Sequence, residues 1–363
     1  AAYSGEFNFN GGTLMALANR TDFLGGLTRA NVGTNGAIVD TAGYGVTIGQ
    51  SLLHDAALGA TEDGGLRKRG DGTLTLTNAN TYDGLTVVER GFLRIEDAAG
   101  LGAASAGTVV SNDAALVVAN GITVSGEAVT INGRADNFGA LQAVGGSNTW
   151  EGQILLASGS GSSGTRIGTK SGGQLYLSGQ VTNVGGNFDL GIRTDDSPGS
   201  KVVFSNPNNV WRSTYAVVGT AQIDGGDDRL PAGTILHLGN SVNTGTATVD
   251  LNGYNQRVGG LVSDGTTMAM TVTNTAGTTS RLTIDNSVAL AYEGAIGGDV
   301  ELLKIGNGAQ TLSGIDTYTG ATVISNGALL VNGMHLGGGA YTVAGGTLGG
   351  TGLIGAAVQV LAG

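Results

Sequence analysis

The chain has 363 residues, 68 of them glycine and only 3 proline, with 40% hydrophobic residues, 12% charged residues and no cysteine. Enough apolar surface is present to exclude a disordered or collagen-like chain, and the lack of cysteine excludes a disulfide framework and thiolate metal sites. A net charge of -11 argues against nucleic acid, since the dense basic cluster Arg67, Lys68 and Arg69 sits beside acidic Glu62, Asp63 and Asp71.

In chain order, short alternating runs separated by Gly, Asn and Asp read as strands. FNFNGGTL (7–14) opens the pattern, and IVDTAGYGVTI (38–48) follows, with a diverged echo in TVDLNGYNQRV (248–258). TLTLT (73–77), LTVVE (85–89) and FLRIE (92–96) then give three strands in quick succession. Thr86-Val87-Val88 recurs as Thr108-Val109-Val110 and, more loosely, as Val129-Thr130-Ile131. The Gly/Ser stretch 158–164 reads as a protruding turn, because strand patterns resume on both sides. Residues 302–331 repeat 66–95, with identities at Leu66, Lys68, Gly70, Gly72, Leu76, Thr81, Tyr82, Gly84, Thr86, Val87, Gly91 and Leu93.

Equivalent strands that return in one direction at a fixed spacing cannot be joined as hairpins, so they stack in parallel. The expected fold is all-β, a right-handed parallel β-helix with rungs of about 20–24 residues. It is expected to run as one continuous domain over 1–363, a segment of a longer surface polypeptide. At about 4.8 Å per rung, about sixteen rungs would make a rod roughly 75 Å long.

GDGTLTLTNANTYDGLTVVERGFLRI (70–95) and GNGAQTLSGIDTYTGATVISNGALLV (306–331) resemble the repeat of the autotransporter-associated β-strand repeat proteins, a family of bacterial surface and secreted proteins. The first copy departs from that signature at Asn78, where glycine is usual. The second has Ala309-Gln310 for Thr-Leu and Asp316 for Asn. The segments 7–14, 228–239 and 341–355 are also similar to parts of these proteins. The resemblance implies an exported passenger β-helix, extracellular or on the bacterial cell surface.

Four corners share the pattern Asn/Asp-x-aromatic and end on Tyr82, Trp150, Trp211 and Tyr318. The leading reading is structural, an Asx turn covered by a ring, with sugar stacking on exposed Trp150 and Trp211 as the competing role. The carboxylate pairs Asp195-Asp196 and Asp227-Asp228 are candidates for polysaccharide cleavage. Neighbours on a strand point to opposite faces, however, whereas glycoside hydrolysis needs two carboxylates across one bond. Asp227-Asp228 is also a place for adventitious Ca²⁺. His54, His237 and His335 have Leu neighbours and read as packed or surface residues, not as metal ligands or catalytic groups. The G-x-G-x-x-G matches at 159–164 and 350–355 open no helical pattern, so no nucleotide cofactor is expected.

These features point to a non-enzymatic, structural or adhesive solenoid, a surface stalk or fibre, with a polysaccharide-active lyase or hydrolase as the alternative. Expected partners are flanking repeats or head-to-tail copies of the chain itself, and cell-surface or matrix glycans. Nucleic acid and direct membrane insertion are not expected. Neither Glu6-Phe7-Asn8-Phe9 nor Val358-Gln359-Val360-Leu361 reads as a polar cap, which suggests that the ends are covered by more chain of a longer polypeptide or by another copy stacked head to tail into a filament.

Overall fold

A computed structural model of the chain describes residues 5–159, 161, 164–195, 197–265 and 267–361. Asp196, three residues of the 158–164 turn and the final Ala362-Gly363 lie outside these. The fold is a parallel β-helix, in which the strand pairings among the described residues are parallel and a short helical turn occupies Ala56–Leu58. Two compact units divide it, 1–159 with 163–186, and 160–162 with 187–363.

In the first unit an eight-stranded sheet runs Thr13–Met15, Ala37–Asp40, Leu66–Arg69, Thr86–Val88, Thr108–Val110, Val129–Ile131, Ile154–Leu156 and Val181–Asn183. Val87 pairs with Val109 and Val109 with Thr130, the register that the repeated Thr-Val-Val motif requires. Side chains alternate between the core and the outside, so Val39, Lys68, Val88, Val110, Ile131 and Leu156 form one inward column. The rung length is not constant. Asp83 lies 29 residues beyond its stacking partner His54, yet 20 beyond Asp63, because residues 55–62 leave the body before the chain returns.

In the second unit a six-stranded sheet runs Gln256–Val258, Ser280–Asp285, Val300–Ile305, Thr322–Ile324, Tyr341–Val343 and Val358–Val360. Its inward column Ile284, Lys304, Ile324 and Val343 again carries a lysine. Gly260–Ser263 and Leu290–Tyr292 belong to different sheets. Gln310 closes that break: its Nε2 donates to the Leu261 carbonyl at 3.0 Å and its Oε1 accepts from the Leu261 N–H at 3.0 Å. The departure from Thr-Leu at Ala309-Gln310 therefore supplies side-chain hydrogen bonds where the backbone ladder stops.

Lys68 and Lys304 are buried at equivalent places in the two copies. Lys68 Nζ donates to Gly70 O at 2.6 Å, Arg90 O at 2.9 Å, and Arg69 O and Thr41 Oγ1 at 3.0 Å. Lys304 Nζ donates to the carbonyls of Ile305, Gly306 and Asn326. Each ammonium thus satisfies the carbonyls that a glycine turn aims inward. Burial pushes the Lys68 amine down to about 8, with the charges of Asp40 and Asp71 opposing the shift. Lys68 is therefore not part of a basic surface patch, and its neighbours Arg67 and Arg69 both bond the Glu89 carboxylate.

The repeated glycines have a steric cause in the second unit, where Gly294, Gly314, Gly333 and Gly352 stack so closely that a Cβ on Gly333 would lie 1.9 Å from Gly314 O. Gly277, by contrast, has open space around it. Gly333→Ala is expected to destabilise the chain by about 1–3 kcal/mol, the usual range for overpacking, while Gly277→Ala stays near neutral. Guanidinium unfolding of the two variants checks this.

Candidate functional site

The four corner aromatics all face the core: Tyr82, Trp150 and Tyr318 are 0% exposed and Trp211 4%. Tyr82 OH lies 2.7 Å from Thr86 Oγ1, and Tyr318 OH makes the same 2.7 Å contact with Thr322, so the Tyr and Thr of the motif form a unit in both copies. Trp211 Nε1 donates to Thr214 Oγ1 at 2.8 Å, whereas Trp150 Nε1 is buried with no partner. The polar residue of each corner braces neighbouring rungs. Asn80 accepts from Leu52 N–H at 2.8 Å and donates to Gly100 O at 2.6 Å, and Asp316 accepts from Ile296 N–H at 2.8 Å. Asn148 accepts from Gly121 N–H at 3.0 Å, and Asn209 donates to Arg229 O at 2.8 Å. Rings buried this fully have no face for a sugar, so stacking on Trp150 and Trp211 is not a role that this geometry leaves them.

The acidic pairs are also tied into turns. Asp227 accepts from Asn255 N–H at 2.8 Å and from its side-chain amide at 2.9 Å, while Asp228 accepts from Arg257 N–H at 2.7 Å. Asp228 itself has φ 52°, a left-handed turn conformation. Asp195 accepts from Ser197 Oγ at 3.0 Å and also from Ser200 Oγ, and its neighbour Asp196 is outside the described residues.

The histidines differ sharply. His335 is buried, stacked on Tyr318 at 4.1 Å between centroids, and its Nε2 donates to Tyr318 O at 2.9 Å. Burial lowers its pKa, and Nδ1 has no partner. His237 stacks on Tyr215 at 4.2 Å and its Nδ1 lies 3.0 Å from Asp264 Oδ1.

His54 stands apart, because its Nδ1 faces two carboxylates, Asp63 Oδ2 at 3.1 Å and Asp83 Oδ1 at 3.0 Å. Burial opposes its protonation, but the hydrogen bonds to Asp63 and Asp83 outweigh it and hold its pKa above the usual value. The sequence reading of His54 as merely packed or superficial missed this cluster. The available signal was the pair of Asp-Gly steps, Asp63-Gly64 and Asp83-Gly84, one rung apart.

The comparisons with known proteins agree with this architecture. The passenger-associated-transport-repeat model matches residues 66–95 and 302–331. Over 262 residues, 72% of this chain, the sequence is 28% identical to the adhesin BmaC autotransporter of Brucella suis biovar 1 (strain 1330). That stretch spans 7% of the relative's own length. No solved structure matches. Parallel rungs closed by Lys, Tyr, Thr and Gly at matching corners define a β-solenoid of the passenger type. Its two matched stretches are passenger-associated transport repeats, and the chain is similar to autotransporter passenger β-repeat proteins.

Burial raises two acids, Asp316 to about 6 and Glu127 to about 7, and so makes stability pH-dependent. Glu127 accepts from Thr108 Oγ1 at 2.7 Å, and burial pushes its carboxyl up from 4.5 to about 7, outweighing that bond. Between those values the folded chain holds a proton that the unfolded chain has released, so stability falls as pH rises through this window. The shift corresponds to on the order of 3 kcal/mol. Glu127→Gln is expected to remove the Glu127 share of the dependence, leaving that of Asp316, and to be the more stable protein at pH 8, as unfolding titrations at pH 5 and pH 8 would show.

Proposed function

We propose that the chain is an adhesive, non-enzymatic segment of an exported passenger, displayed on or shed from the bacterial surface. The observation that carries the reading is where its polar chemistry goes. The carboxylates of Asp227 and Asp228 and the corner Asn and Asp residues hold backbone groups of adjoining rungs instead of facing one another across a cleft. A relative bearing the name adhesin supports the same reading; the partner class proposed for this chain is surface or matrix glycans.

Beads coated with the chain are expected to attach saturably to host cells or extracellular matrix. Asp227→Asn/Asp228→Asn should attach equally well. Attachment no stronger than that of beads coated with an unrelated β-solenoid would overturn the proposal. Polysaccharide cleavage that disappears in the double variant would replace it with the enzyme reading.

The finer proposal is axial association. Val358–Val360 lies at the edge of its sheet with Val358 and Val360 exposed, an edge suited to a following rung or another copy. Light scattering should therefore show particles that lengthen with concentration. A concentration-independent monomer would count against stacking and leave the adhesive reading standing.

A further inference from the structure

We propose that His54, Asp63 and Asp83 form a binding site for one divalent transition-metal ion, held through His54 Nδ1, Asp63 Oδ2 and Asp83 Oδ1. These three atoms lie within 4.8 Å of one another. His54 ends the strand Leu52–His54, residues 55–62 leave the body, and the chain re-enters at Asp63. Asp83 arrives one rung later. The aspartates are locked together, with Asp63 N–H donating to Asp83 Oδ1 at 2.8 Å and Asp83 N–H to Asp63 Oδ2 at 3.0 Å.

The first argument is a proton count. His54 Nε2 lies 3.3 Å from the Gly59 carbonyl, which can only accept, so the ring N–H sits on Nε2. A neutral ring then turns the bare Nδ1 lone pair toward two carboxylate oxygens. Something positive has to stand at Nδ1. A proton there leaves the cluster with a net charge of -1, although the Asp63 side chain is 0% exposed. A divalent cation makes it neutral, and a ligating histidine that donates its other N–H to a backbone carbonyl is the usual way of orienting such a ring.

The second argument is distance and donor type. Metal–ligand bonds of about 2.0–2.2 Å place neighbouring ligand atoms about 3.0–3.4 Å apart, as the two Nδ1–oxygen separations nearly do. One imidazole and two carboxylates suit zinc-like ions better than Ca²⁺ or Mg²⁺, which take predominantly oxygen shells. The Asp83 side chain is 35% exposed and that of His54 19%, which leaves a solvent side for the remaining ligands.

The third argument comes from the second repeat copy, which solves the same corner without a charge problem. Asp299 precedes Leu302 as Asp63 precedes Leu66, and it is held by the hydroxyls of Thr279 at 2.7 Å and Thr319 at 3.5 Å. Thr319 stands where the first copy has Asp83. The fold therefore does not require a second carboxylate here, and the first copy has one facing a histidine. An ion at this place would pin residues 55–62 to the body.

The test uses the whole chain, stripped with chelator and titrated with ZnCl₂ by calorimetry, with Co²⁺ absorption as a second probe. One equivalent should bind, and His54→Ala and Asp83→Thr should each weaken binding at least tenfold, while His237→Ala leaves it unchanged. Asp83→Thr copies the second repeat and so preserves the corner. In the unmodified chain, Zn²⁺ but not Mg²⁺ should slow hydrogen exchange in residues 55–62 at least tenfold, a readout independent of any variant's folding. Binding that survives both substitutions, or the absence of a stoichiometric equivalent or of exchange protection, would overturn the proposal in favour of a plain imidazolium bridge.

Discussion

The structure depends on satisfying the backbone at its corners. Along the strands, parallel ladders pair most backbone N–H and C=O groups, but at the turns these groups need other partners. Side chains take over there. Lys68 gathers carbonyls from its own rung and the next, Asn80 ties Leu52 to Gly100, and Asn274 donates to Thr278 O at 2.6 Å and Asp299 O at 2.8 Å. A single such bond contributes about 1 kcal/mol net, whereas a buried group left unpaired costs about 1–3 kcal/mol, so these positions resist change more than their individual strengths suggest.

That asymmetry explains which residues the two repeat copies share. Lys68 and Lys304, Tyr82 and Tyr318, and Thr86 and Thr322 recur with their hydrogen bonds, together with glycines where neighbouring rungs approach too closely for a Cβ. Apolar ladder positions are freer: Leu74 corresponds to Gln310, whose amide works as a brace. Packing an inward column asks for volume and shape, while a turn asks for a particular donor or acceptor.

The same distinction separates what the sequence revealed from what it hid. The Val87–Val109–Thr130 register was legible because β-branched residues recur at constant spacing, and the echo between 38–48 and 248–258 was real. Ala42 and Asn252, each followed by a positive-φ glycine, make the same left-handed turn. Lys68 looked like part of a basic cluster, although the period-2 alternation that buries Leu66 also points Lys68 inward. Trp150 and Trp211 gave no local sign of full burial, since their cover comes from adjoining rungs. The His54 cluster was hidden for a different reason. It is assembled across a 29-residue rung, so no fixed repeat spacing brings its three side chains together on paper.

In a solenoid each rung meets only its neighbours, so its folding rules are local and can be met again and again by diverged sequence. This fits an identity of 28% that extends over 262 residues of a much longer relative. It follows that the repeat motif records how rungs close and says little about what they bind. The motif's Lys, Tyr, Thr and Gly all face inward or fill turns. Any recognition must therefore be carried by outward side chains and by excursions such as residues 55–62, where one copy departs from the other. Differences between the copies, Asp83 against Thr319 foremost among them, are thus better guides to function than their identities.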